Sequence, residues 1–257
     1  MPATARVVTQ YQRALQMLIT QVGAYALATW DALGSWRDDA AEQWIAELLP
    51  VLLAGQSGAV ALTDAYLAEY LDAAPIGLVP DELIGSAVRG GAALEEVYTR
   101  PFRTVWAKLA EDKPLTEAVS AGRARTQATV AMDMQLSGRA AAREGMARSG
   151  VVGYRRVVSG SSTCDLCAIA STQRYRTEDL LPIHNRCGCV VAPIVGERDP
   201  GQVINKDLLR ELRQRGAVKD ITEQRQRAAA KVATAEHGEV GPVLVNADHA
   251  FTGADDI

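Results

Sequence analysis

The sequence is poor in aromatic residues, which supply 5% of its 257 positions and include only two Phe. A β-sandwich built on packed rings is therefore disfavoured, and the alanine-rich segments favour closely packed helices instead. Long apolar runs are missing as well. The longest, Leu48 to Ala54, falls far short of the roughly 18 residues that span a bilayer, and Pro50 interrupts it. The expectation is a chain that is soluble or embedded in other protein, with no membrane partner. The N-terminal Met1-Pro2-Ala3-Thr4-Ala5-Arg6 lacks the ordered basic, apolar and small-residue regions of a secretory signal. Synthesis in a reducing cytoplasm follows. An excess of one charge is also absent. With 27 basic against 31 acidic residues the net is -4, which argues against a surface that coats nucleic acid as a whole. The 48% apolar and 23% charged content excludes whole-chain disorder, and no repeat of solenoid length is present.

What is there reads as mainly α. Tyr11, Leu15, Leu18, Val22 and Tyr25 fall on one stripe and predict a helix from about residue 5 to 33, broken at Gly34 and Ser35. A second apolar-faced segment carries Trp44, Ile45, Leu48, Leu49 and Leu52, with Gly55 and Gly58 as its expected end. A third uses Val60, Tyr66, Leu67, Tyr70 and Leu71, and Pro80 opens a fourth over about 81–97. Asp112 and Pro114 mark the start of an alanine- and arginine-rich helix reaching about Arg148. After Gly150 the pattern changes: residues 154–158 and 188–194 read as strands. A last helix is predicted over about 206–235, then a polar tail with an apolar patch at Val243 to Val245. The organisation is thus a helical N-terminal region (1–110), an Arg-rich helical connector (111–149), a small C-terminal α+β subdomain stapled by a Cys/His cluster (150–196), a C-terminal helix (197–236) and a tail (237–257).

Charge is bipolar. Asp31 to Leu83 contains ten acids and one base, while Arg123 to Arg156 contains seven arginines against Asp133 and Glu144. Solvated helix faces explain both runs; an acidic face toward a protein and a basic one toward phosphate is the sharper reading. Arg123, Arg125, Arg139 and Arg143 are the candidate nucleic-acid contacts. The four Trp, at 30, 36, 44 and 106, read as core or interface anchors.

One segment carries chemistry. All four Cys and one of the three His lie in the 26 residues from Cys164 to Cys189. Cys164-x2-Cys167 presents two thiolates from one turn, and His184-x2-Cys187 supplies a second pair for a tetrahedral zinc ion. Cys189 is a fifth candidate, because strand residues two apart face one side, so Cys187 and Cys189 form an alternative second pair. Reduced buried cysteines or disulfides are the competing reading, with a cytoplasmic location weighing against disulfides. A loop-rich segment with little core of its own would gain on the order of 10 kcal/mol from a structural metal. The zinc reading is structural rather than catalytic: ligands are in surplus, and neither H-x-E nor H-E-x-x-H is present. Ser159, Ser161, Ser162, His237 and His249 are the remaining candidates for a hydrolase, but no G-x-S-x-G elbow supports one. No P-loop is present, and Gly90-Gly91 sits inside a helical pattern.

The order of a helical N-terminal region, an Arg-rich stretch, a strand, then Thr163-Cys164-x2-Cys167 and His184-x2-Cys187-x-Cys189 followed by Pro193 resembles the Mu F-like minor head proteins of tailed bacteriophages. The resemblance covers about Arg103 to Ile194. It implies a virion component present in several copies, associated with the portal vertex and head morphogenesis. Its partners would be the portal and major capsid proteins, with packaged DNA as a further contact. A capsid maturation protease is the main alternative and a zinc-dependent DNA-binding module the second. No catalytic residue is assigned.

Overall fold

The computed structural model describes residues 3–158, 167, 170–171, 174–180, 189–196, 232–237 and 241–246. Four long helices dominate it: α1 (Ala3–Asp31), α2 (Asp38–Leu71), α3 (Leu94–Ala110) and α4 (Leu115–Arg148). The mainly helical expectation holds. Along α1, Val8, Tyr11, Leu15, Ile19, Val22, Ala26 and Trp30 are buried, so steps of three and four residues keep one stripe on the core. Leu18 and Tyr25, expected on that stripe, lie at its margin and are only partly buried. The chain turns at Gly34 and Ser35, and Trp36 folds back onto Trp30 with ring centroids 4.7 Å apart. Trp30, Trp44 and Phe102 complete an aromatic knot between α1, α2 and α3, so the tryptophans are packing residues.

The expected break at Gly55 and Gly58 does not occur: α2 runs through both. These glycines are notches for neighbouring side chains. A Cβ on Gly55 would lie 2.6 Å from Val22 Cγ2, and one on Gly58 3.2 Å from Leu18 Cδ2. Pro50 is also inside α2. It and Ala46, whose carbonyl it leaves without a helical donor, lie on the exposed side, where water can satisfy that group. Among the described residues α2 is the one helix long and apolar enough to cross a membrane, with mean hydropathy 1.6 over its best window. The short Leu48 to Ala54 run did not suggest this. In the fold α2 packs against α1, α3 and α4 and buries Gln56 and Thr63 in hydrogen bonds, as a core helix does.

The helix predicted over 81–97 is replaced by two short 3-10 turns, Pro80–Glu82 and Gly85–Arg89. Gly90 and Gly91, at φ +62° and +90°, then end the pattern, and α3 begins only at Leu94. The α4 helix matches its predicted range, but its first cap is Pro114; Asp112 stands outside with φ +57°. More than half of α4 is buried, including Thr126, Thr129, Asp133, Gln135 and Ser137. It packs against α1, α2 and α3 as the central rod of the array.

Beyond α4 lies a three-stranded antiparallel sheet in the order β2-β1-β3: β1 (Gly153–Val157), β2 (Arg174–Arg176) and β3 (Val190–Ile194). The first and third were expected; β2 is too short to show a period. Val151, Tyr154, Val157, Leu180, Val190, Val191 and Ala192 belong to the same buried cluster as the helices. The Tyr66 and Tyr70 hydroxyls of α2 donate to the carbonyls of Val191, at 2.8 Å, and Pro193, at 3.0 Å. Residues 232–235, expected to end a helix, instead belong to β4 (Val232–His237), which pairs antiparallel with β5 (Gly241–Asn246). Its partner strand contains the apolar patch 243–245. The rest of the predicted helix, 206–231, lies outside the described residues.

Two stability effects follow. A Cβ on Gly122 would lie 2.6 Å from Trp30 Cζ2 and 2.9 Å from the Pro101 carbonyl oxygen. In Gly122→Ala, overpacking of about 1–3 kcal/mol should outweigh the roughly 1 kcal/mol gain in helix propensity. Urea unfolding should show a lower midpoint with an unchanged slope. Burial pushes the Tyr11 phenol up to about 12 against the opposing Thr63 hydrogen bond, and raises Tyr66 well above its ordinary value. These protons stay on the native state after the unfolded chain loses its own near pH ~10. Stability is therefore full below that pH and falls between about 10 and 12. An alkaline titration should show tyrosinate absorbance from these rings rising together with loss of helical circular dichroism.

Candidate functional site

The sheet has two faces, and antiparallel register assigns its residues to them. Tyr154 stands opposite Tyr175 on β2 and Pro193 on β3, and Arg156 stands opposite Val191. Directly opposed residues share a face, and so do residues two apart. Tyr154, Arg156, Tyr175, Val191 and Pro193 therefore occupy one face, which Cys189 joins two residues before Val191. The contacts agree. The rings of Tyr154 and Tyr175 stack with centroids 5.3 Å apart. The Arg156 guanidinium carbon lies 5.9 Å from the first centroid and 5.4 Å from the second. Its Nη1 donates to Cys189 Sγ at 3.5 Å.

This face is closed to solvent at its centre, with Tyr154 and Arg156 at 0% and 1% exposure. Cys167 and Cys189 are both buried and outside any disulfide. Burial raises the Tyr175 phenol above its ordinary value, with Arg156 pulling it down and Cys189 and Cys167 adding to the rise. For Arg156, burial disfavours the charge, but Cys189 and Tyr154 outweigh it and hold the guanidinium above its ordinary range. A buried thiol hydrogen-bonded to a fixed cation suits a thiolate-rich centre. Cys164, His184 and Cys187 lie outside the described residues, and among those described no group of three potential ligands is assembled. The first Cys pair falls in the connection from β1 to β2. His184 and Cys187 fall in the return from β2 to β3.

Sequence reasoning did not single out Arg156, Tyr154 or Tyr175. The signal was the spacing of two between Tyr154 and Arg156 on a predicted strand, hidden because Arg156 was counted with the basic run. The proposed nucleic-acid face is corrected. Arg125 and Arg139 are buried, and Arg123 makes a bidentate pair with Asp31, at 2.7 and 2.9 Å. On an ideal helix Arg123 points nearly opposite to the other three, so no common exposed face exists. Arg143 is exposed, beside a cleft of about 750 Å³ in which Glu144 and Glu178 accompany it and Arg176. Ser159, Ser161, Ser162 and His249 lie outside the described residues. The backbone of His237 ends β4.

A second buried polar centre holds the helices together. Asp133 of α4 accepts from Arg89 Nε at 2.6 Å and from the Tyr98 hydroxyl at 2.6 Å, with both charged side chains fully buried. Gln56 donates to the Asp133 carbonyl at 3.2 Å and accepts from the Gly85 amide at 3.0 Å. Burial, with the Asp133 charge next, drives the Tyr98 phenol well above its ordinary value, so it stays a donor. All members are enclosed within the helical array, which makes this a structural network.

Comparison with family models, curated proteins and solved structures finds no match to this chain.

Asp133→Ala should cost about 3–5 kcal/mol, since it leaves the Arg89 cation buried without this carboxylate. Replacing Arg89 and Asp133 together by apolar residues should cost less than the two single changes added. A double-mutant cycle in urea measures the difference.

Proposed function

We propose that this chain is a minor head protein of the Mu F-like kind: a non-enzymatic virion component at the portal vertex that contributes to head morphogenesis. The observation that carries the reading is the Thr-Cys-x2-Cys and His-x2-Cys-x-Cys pattern, distributed over the two connections on either side of the short edge strand β2. That strand belongs to a small sheet pinned to a long helical array. A structural zinc ion held by four of Cys164, Cys167, His184, Cys187 and Cys189 would cross-link those connections and staple the α+β subdomain. When bound, zinc supplies tetrahedral coordination and binding energy, with no reaction required of it. Buried Cys167 and Cys189 are chemically suited to that role.

The portal and major capsid proteins are the proposed partners. The acidic run favours a protein contact, because Asp38, Asp39, Glu42 and Glu47 are all exposed along the first turns of α2 and offer a cationic surface several charges near one helix end. Contact with packaged DNA is a secondary expectation and has no assembled arginine face behind it.

Mass spectrometry of intact particles should find the protein in the virion, and elemental analysis of the purified chain should find one zinc per chain. His184→Ala should reduce folding or incorporation and leave cleavage of the major capsid protein unchanged wherever heads still form. A maturation protease would do the reverse: replacing one Ser, Cys or His would abolish capsid cleavage while the fold and incorporation survive.

A further inference from the structure

We propose that Cys189 is one of the zinc ligands and that Arg156 is its charge partner and positioning residue. This rests on the zinc centre proposed above and goes further by choosing among its five candidates. The spacing of the cysteines leaves Cys189 as a possible spare; the fold does not treat it as one. Its sulfur accepts an N–H from Arg156, and that guanidinium is fixed twice over, by burial to 1% exposure and by the stacked Tyr154 and Tyr175 rings.

Coordination makes sense of the cation. Four thiolates around zinc carry two negative charges more than the ion neutralises, and three thiolates with a neutral imidazole carry one. Such an excess is costly away from water. A guanidinium hydrogen-bonded to one ligand sulfur offsets it without occupying a coordination position, since a thiolate has lone pairs for both a metal and a donor. Arg suits this position better than Lys. Its planar group lies against the stacked Tyr pair and still directs an N–H at sulfur, whereas an ammonium has neither the plane nor the fork. Donors of this kind to a ligand atom fix its direction, and their loss typically weakens metal binding 10–100-fold.

The test uses the full-length protein loaded with Co²⁺ in place of zinc, read by its sulfur-to-cobalt charge-transfer absorption and by competition with a chelator. Cys189→Ser, nearly isosteric, should lower the intensity of that band and weaken binding. Arg156→Met should keep the band's intensity, move it to lower energy as the sulfur loses its donor, and weaken binding about 10–100-fold. Arg156→Lys, which keeps the charge, should fall between, and it decides the matter if Arg156→Met does not fold. A Cys189→Ser protein with the wild-type band and affinity would overturn the assignment of Cys189. An unshifted band in both Arg156 variants would overturn the role of Arg156. Failure of the wild-type chain to take up either metal would instead remove the zinc centre itself, and this choice of ligand with it.

Discussion

The buried Asp133 carboxylate is the constraint on which the helical array depends. A charge at the middle of α4 with no exposure is tolerable only when its oxygens are occupied, and Arg89 and Tyr98 come from two different segments to occupy them. That requirement explains the awkward stretch before α3. The 3-10 turn over Gly85–Arg89 and the left-handed Gly90 and Gly91 bring Arg89 inward, a direction a continuous helix from Pro80 would not provide. Gln56 ties the same point to α2 through the Gly85 amide. Asp133, through its carboxylate and its main-chain carbonyl, thereby ties α2, α3 and α4 together, in a way that apolar packing, which is nondirectional, does not.

The same logic separates what could be read from the chain from what could not. The start and stop of α1 and the span of α4 follow from local signals: apolar spacing, Gly34 and Ser35, Pro114. The errors arose where a neighbour decides. Gly55 and Gly58 have the local character of helix terminators, yet Val22 and Leu18 fill the space beside them and the helix continues. In α4 the buried side is made largely of Ala, Gly, Met and polar residues, with little Leu or Val. Its pattern looks solvated, and its arginines look available, until partners are known. At 232–235 an alanine-containing sequence pairs with 243–246. In each case a neighbouring segment outweighs a modest local preference.

At the candidate metal centre the legible part was chemical and the hidden part geometric. Clustering of Cys and His within one segment identifies soft-donor chemistry without any fold. Which side of the sheet that chemistry occupies depends on register, and register is what puts Arg156 beside Cys189. The sheet does not stand apart from the helices: its Val190, Val191 and Ala192 share their core. Disturbance at the cysteines would therefore be felt in α2.

The two hydroxyls that α2 sends to β3 have an effect beyond anchoring. A border strand normally leaves alternate carbonyls and amides open, an invitation for a foreign chain to extend the ladder. On β3 the outward carbonyls of Val191 and Pro193 are already taken, and Pro193 has no amide hydrogen to offer. The opposite border, β2, is three residues long and bears Arg174 and Arg176, whose repulsion discourages a like neighbour. Among the described residues, both borders of this sheet are thus poor templates for backbone pairing with another chain. A chain that met this sheet would meet side chains first, and side chains can tell one partner from another.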